Sequence, residues 1–272
     1  MNGGTSGYST DQEYLFYREE GVKYSPQIVI LFFYYNDALY NGLDRNIQIP
    51  KPLLQFRNGR AEVANYPVPP QKRPEPSAVT AGEGSFRGSA ALDWVAERVQ
   101  ASAPRVYEGV AKTGLWPPIR VQRPPEEFEV FRARLSPDYL HAWSMTRRIL
   151  GALRSETEAH GARLLVAYVP SAMETNDTVW EATRLRYRLR PEKWDRGQAL
   201  RQLVNVCAGE NVPLFDLTPI LRRGTGLVRR PYFDHDSHWN AYGQQLAAAA
   251  IAEHLSVDGW LANCARQDPR LR

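Results

Sequence analysis

Asp236 and His238 stand two residues apart in the string Tyr232-Phe233-Asp234-His235-Asp236-Ser237-His238-Trp239-Asn240, directly ahead of a run that reads as the final helix. A carboxylate beside an imidazole makes a general base: the carboxylate orients the ring and stabilises its cation while the ring takes a proton from a hydroxyl. The two side chains converge only in a tight turn, because residues i and i+2 of a helix point apart. Two of the five histidines, His235 and His238, fall in this string. Its plain alternative is an acidic surface loop leading into a helix.

Two strings near the other end carry complementary chemistry. Asn2-Gly3-Gly4-Thr5-Ser6-Gly7-Tyr8-Ser9-Thr10-Asp11-Gln12-Glu13 is glycine-rich and then helix-like. Ser9 with Gln12, or Thr10 with Glu13, makes a capping box for a helix running to about Gly21. Backbone N–H groups at such a junction can hold an anion or a developing oxyanion. A plain glycine-rich turn is the other reading. Gln27 to Tyr35 is a β-branched and aromatic run that suits a strand buried on both faces. It ends at Asn36-Asp37, where a parallel strand would deliver polar side chains to the carboxyl edge of a sheet.

The elements that must position these residues alternate between helix and strand in the second half. Pro137 to His160 reads as a long amphipathic helix closed by Gly161. Arg163 to Val169 reads as a buried strand ending at Pro170-Ser171. Ser171, Met173 and Glu174 follow it, either facing the site or making a plain strand exit. A helix over about Asp195 to Gly209, a short strand over Val212 to Asp216 and a helix over Trp239 to Leu255 complete the pattern. Such alternation indicates a parallel sheet between helix layers. Between Asn41 and Pro125 the chain is irregular and rich in proline, helical only around Ala90 to Ser102, so 42–125 reads as an insertion that is either a lid or disordered. Trp94 and Trp116 can line a pocket beneath it or simply pack there.

The three strings together resemble the SGNH, or GDSL-type, hydrolase family, in which four blocks supply a nucleophilic Ser, an oxyanion Gly, an oxyanion Asn, and a His preceded by Asp. The resemblance puts Gly7 in the glycine position and Asn36 in the asparagine position, although Tyr35 stands where many members carry Gly. It puts Asp236 and His238 in the last block, whose Asp-x-His spacing is similar to the bacterial branch of alginate O-acetyltransferase-like proteins; this spacing selects Asp236 and leaves Asp234 as the fallback. What it implies is a three-layer α/β/α sandwich with a mostly parallel, flavodoxin-like sheet, as a single domain over residues 1–272.

The Gly-Asp-Ser block has no counterpart. The nearest string, Gly84-Ser85, lies in the insertion with no strand before it. The expectation is therefore a chain lacking the family's first strand, its first helix and the nucleophile. In the intact parent, the resemblance implies a Ser attacking an acyl or acetyl ester, with His238 as general base and then general acid, oriented by Asp236. The Gly7 N–H and Asn36 amide would stabilise the oxyanion by ~2–4 kcal/mol each. Alone, the chain is expected to be inactive or weakly active. Water as acceptor makes an esterase, and a sugar hydroxyl makes a carbohydrate O-acetyltransferase. A non-catalytic carbohydrate-binding relative is the third reading.

Composition fits an enzyme-like globular chain: 272 residues, 43% hydrophobic and 11% aromatic, suffice for a substantial core. Lys and Arg (34) nearly balance Asp and Glu (30), so Arg147-Arg148, Arg184 to Arg190 and Arg222-Arg223 read as solvated helix faces, with no nucleic-acid partner expected. Cys207 and Cys264 permit a disulfide but do not require one, and no spacing suggests a metal site. No cofactor is expected, and no run is long enough to span a bilayer. The partner expected is a small-molecule or carbohydrate ester.

Overall fold

Arg163–Val169 forms the strand around which the sheet is built, and every residue of it after Arg163 is buried. The structure is a computed structural model describing residues 1–47, 49–70, 90–116, 123–224, 230–234 and 237–261. The first strand, β1 (Ile28–Tyr34), runs parallel to this central strand from Ile28 opposite Arg163 to Tyr34 opposite Val169. On the other side Leu214–Asp216 also pairs in parallel, at Val166, Ala167 and Tyr168. The order β1–central strand–last strand is the parallel sheet that the alternation implied.

Strand alternation divides the core in two. Leu164, Val166 and Tyr168 join a cluster with Tyr14 and Tyr17 of α1 (Thr10–Glu19), and with Trp143, Ile149 and Leu153 of the helix Pro137–Ala159. Leu203 and Val206 of the helix Gln198–Gly209 belong to the same cluster. Leu165, Ala167 and Val169 point the other way, onto Ala247, Ile251 and Leu255 of the helix Ala241–Val257. Those three residues recur every fourth position, one face of a helix. The fold is thus a three-layer α/β/α sandwich.

Local chemistry sets the long helix. Ser136 caps it, accepting from the Tyr139 N–H at 3.4 Å, and Pro137 opens it where a missing N–H costs nothing. Gly161, at φ +73°, lets the chain leave it in a left-handed turn.

In chain order, α2 (Asp37–Tyr40) follows β1, then two antiparallel hairpins: β2 (Arg45–Asn46) with β3 (Ile49–Pro50), and β4 (Leu54–Arg57) with β5 (Arg60–Val63). α3 (Ala90–Ser102) and α4 (Pro104–Lys112) come next, then α5, the long helix just described. β6 is the central strand, followed by α6 (Ala172–Thr175) and α7 (Asp177–Tyr187). α8 is Gln198–Gly209, β7 is Leu214–Asp216, α9 is Thr218–Gly224 and α10 is Ala241–Val257. The segment 42–125 is therefore more ordered than its composition suggested, although 71–89, which includes Gly84-Ser85, and 117–122 lie outside the described residues. α3 and α4 pack against each other and against α7. Trp94 is exposed with the Arg98 guanidinium over its ring, and Trp116 lies 5.1 Å from the Tyr107 ring. Among the described residues no helix is long and apolar enough to cross a membrane.

One expectation is corrected. β1 is not buried on both faces: Phe32 is 41% exposed and Ile28 and Ile30 are half-buried. Among the described residues no strand pairs with the far edge of β1, which is therefore an edge strand of the sheet.

A buried ion pair locks α1 to the segment after β1. Lys51 Nζ donates to Asp11 Oδ2, with the two side chains 1% and 0% exposed. Asp11 also accepts from Ser9 Oγ at 2.7 Å, and its N–H donates to Asn41 Oδ1 at 3.1 Å. Removing one member of a buried pair strands the other charge. Lys51→Met should therefore lower unfolding free energy by about 3–5 kcal/mol in a urea titration. A loss indistinguishable from zero would show that Asp11 needs no cation.

Candidate active site

His238 sits on a loop tied to two elements. Tyr232 and Trp239 form an antiparallel bridge, and the Phe233 N–H donates to the His238 carbonyl at 3.1 Å. Tyr232 is buried and its hydroxyl donates to the Pro170 carbonyl at 2.9 Å, which pins the loop to the carboxyl end of β6. Asn240 caps α10, accepting from Tyr242 N and Gly243 N at 3.0 and 3.1 Å, while its Nδ2 donates back to the Arg230 and Tyr232 carbonyls. Gly243 is required at this junction, because a Cβ there would lie 2.3 Å from the Pro231 carbonyl oxygen.

The loop lays the His238 ring on Tyr34, the last residue of β1, with centroids 5.7 Å apart and planes 22° from parallel. The Tyr34 hydroxyl reaches the Ser237 carbonyl at 3.5 Å. Asn36 stands two residues beyond Tyr34, so His238 and Asn36 share the carboxyl rim of β1. Half-buried, Asn36 opens α2, and its carbonyl accepts from Leu39 N and Tyr40 N. Its side-chain amide makes no hydrogen bond among the described residues. Asp236 and His235 lie outside the described residues. The fallback carboxylate, Asp234, is half-exposed and pairs loosely with Arg230 at 3.8 Å.

Gly7 stands two residues before Ser9, the N-cap of α1. It has φ +79°, is exposed, and an added Cβ would meet nothing within 4 Å, so here glycine serves backbone shape and not close packing. Its carbonyl accepts from Asn46 Nδ2. The capping box expected at Ser9 and Gln12 starts α1 two residues later. The start of α1 is held to the end of α2 by the bond from Asp11 N to Asn41, whose Nδ2 donates to Thr146 of α5 at 3.0 Å.

Buried carboxyl groups underlie the rim. Asp37, beside Asn36, accepts from the Tyr34 N–H at 2.9 Å, and burial raises its pKa to about 8. At the end of β6, Glu174 accepts from Ser171 N and Ser171 Oγ, both at 2.8 Å, and from the Tyr168 hydroxyl. Ser171, Met173 and Glu174 are all buried. They make a capping box and core packing, the plain strand exit of the two readings. Sequence reading missed Tyr34, Tyr232 and Asn240 as supports of the site. Only Asn240 carried a local signal, an Asn ahead of an apolar helix. Among the described residues no group of three or more His, Cys, Asp or Glu side chains could hold a metal ion. Cys207 is buried and free, and Cys264 lies outside the described residues.

Burial raises the Glu174 carboxyl from its ordinary 4.5 to about 7, against the hydrogen bonds donated by Tyr168 and Ser171, which lower it. The folded chain keeps this proton across a window in which the unfolded chain has released it. Its contribution is complete below pH 4.5 and is lost as pH rises through 7. Between those limits the parent should lose on the order of 3 kcal/mol more stability than Glu174→Gln. Parallel stability curves in chemical denaturation would contradict this.

A family model described as "SGNH hydrolase-like domain, acetyltransferase AlgX" matches residues 135–272. The match holds α5, β6 and the His238 loop, while Gly7 and Asn36 lie before it. No curated protein and no solved structure matches the chain. The matched segment covers half of the sequence and includes α5, β6, β7, α10 and His238, so the chain belongs to the SGNH hydrolase-like family of the acetyltransferase AlgX.

Proposed function

We propose that this chain carries the general-base and oxyanion half of a serine acyl-transfer site acting on an acetyl ester. The observation that carries the reading is the seat of the His238 ring on Tyr34, two residues from Asn36, at the carboxyl rim where open α/β sheets bind ligands. His238 takes the proton of the attacking hydroxyl and returns it to the leaving group, with Asp236 orienting its ring. The Asn36 amide and the Gly7 N–H face the oxyanion. The nucleophile is a Ser outside this sequence, on a strand added at the open edge of β1. That edge supports the reading, since a parallel neighbour there would end beside Tyr34. The family description favours transfer of the acetyl group to a hydroxyl acceptor, a carbohydrate in our reading, over release to water.

Extending the chain with the in-frame upstream segment of its gene should create a Ser that a fluorophosphonate labels. Labelling of a Ser within residues 1–272 that depended on His238 would overturn the external nucleophile. In the extended protein, His238→Ala should reduce turnover of p-nitrophenyl acetate by roughly 10²–10⁴-fold with the fold intact by circular dichroism. Retained turnover would remove His238 from the mechanism. Acetyl transfer to an added glycan that outpaces release of acetate would establish the transferase, and the reverse the esterase.

Tyr34 is expected to position His238 through its ring. Tyr34→Phe should keep kcat near the parent, whereas Tyr34→Ala should lower kcat by roughly tenfold or more and displace the pH profile. Equal effects from both substitutions would implicate the hydroxyl instead.

A further inference from the structure

α1 and α5 pack side by side, and with the β4–β5 hairpin they line an open cleft of about 560 Å³. The cleft is separate from the candidate active site. Thr146 marks the level of the rim on α5 through its bond to Asn41, and Ser155, which lines the cleft, is about 13 Å farther along the helix. That direction leads away from the carboxyl edge of the sheet, since α5 runs opposite to β6.

Three guanidinium groups line the cleft: Arg18 from α1, Arg60 from β5 and Arg148 from α5. The Arg148 head lies over the Phe56 ring at 4.7 Å, and the Arg18 head over Tyr14 at 5.6 Å. A guanidinium lying on an aromatic face keeps its edge N–H groups free to form a bidentate fork. Arg18 is already engaged, with Glu19 at 3.0 Å and with the Ala61 carbonyl at 3.4 Å. Arg60 and Arg148 make no ion pair and no side-chain hydrogen bond among the described residues. This contrasts with Arg132, Arg154, Arg184 and Arg201, each of which faces a carboxylate within 3 Å.

Two carboxylates share the lining. Glu210 is taken by Arg147 at 2.6 Å, but among the described residues the cation nearest the Glu156 carboxylate is His160 at 3.8 Å. A bare inorganic anion would gain from the arginines and be repelled by Glu156. A ligand that offers an anionic group at one end and hydroxyl donors at the other satisfies both. The volume falls within the 300–1,000 Å³ range of small-molecule sites.

We propose that this cleft binds a hydroxylated organic anion, the chemistry shared by a sugar acid and a sugar phosphate. Arg60 and Arg148 grip the anionic group, and Ser155 and Glu156 bond the hydroxyls. The site stands apart from the acyl-transfer reading, and its test needs no turnover. Calorimetric titration of the 272-residue chain at low salt with glucuronate and with glucose 6-phosphate should give saturable binding to at least one of them, and much weaker binding of neutral glucose. Binding of glucuronate alone identifies a sugar acid, and of glucose 6-phosphate alone a phosphorylated sugar. Arg60→Ala and Arg148→Ala should each weaken binding about tenfold or more, as expected for loss of a charge-assisted hydrogen bond. Arg148→Lys, which keeps the charge and loses the fork, should fall between parent and alanine variant and also covers the case in which an alanine variant does not fold. Absence of binding by both anions, equal binding of glucose, or undiminished binding by folded arginine variants would each overturn the proposal.

Discussion

Asn240 commits its whole side-chain hydrogen-bonding capacity to four backbone groups, accepting from Tyr242 and Gly243 and donating to the carbonyls of Arg230 and Tyr232. The two acceptances start α10, and the two donations close the loop that carries His238. One residue therefore fixes the helix start and the loop together, so the imidazole cannot move without unwinding a helix end. The Tyr232 hydroxyl adds a bond to the last residue before the β6 exit, so the same loop is referenced to the central strand. A histidine that must meet a reacting atom within a fraction of an ångström needs such over-determined support, because loops otherwise hold position poorly.

The rim is also costly. Asp11, Asp37 and Glu174 are buried carboxyl groups, and Lys51 is buried with the first two. Burial pushes the Lys51 ammonium pKa down while Asp11 holds it up, and it pushes Asp37 up to about 8. Two carboxylates facing one lysine cannot both stay charged at little cost, so near neutral pH the proton on Asp37 is part of the structure. Its carboxyl holds the Tyr34 N–H, the residue on which His238 rests. Polar groups buried under a rim hold residues from β1, α1 and α5 in one register, where an apolar core would fix only their spacing.

The sequence was most readable where local chemistry and tertiary packing agree. β6 and α3 have the bounds their composition suggested, and α5 differs by a single residue at its end because Gly161 and the cap His160 close it. α8 begins at Gln198 and not at Asp195, since Asp195 is spent on other contacts: its N–H reaches the distant Phe131 carbonyl at 2.7 Å, and its carboxylate takes the nearby Gly197 N and Arg201. α10 begins after Asn240 because Trp239 is held in the bridge to Tyr232. The β4–β5 turn was legible but overlooked, as Asn58 and Gly59, both at positive φ, make the Asn-Gly turn of a tight hairpin. The seat of His238 on Tyr34 could not be read at all, because nothing local links residues so far apart in the chain.

β1 differs from β6 in a way that bears on the proposed function. Leu31 and Phe33 are sealed against α1 and α5, while Ile28, Ile30 and Phe32 on the other face keep access to solvent. Trp239 covers Phe32 only edge-on, with ring centroids 5.8 Å apart. A strand with one ladder edge unpaired and one face half-covered is a template for another strand. Strands in one sheet lie about 4.8 Å apart, so a parallel neighbour on this edge would bring the residue after its last ladder bond to the level of Tyr34 and Asn36. Such a side chain would stand on the opposite side of β1 from β6, whose end anchors the His238 loop through Tyr232. The imidazole lies on the Tyr34 ring, at the end of the same strand. In the function we propose, a hydroxyl carried there would have His238 as its base and the Asn36 amide as a donor to the oxyanion.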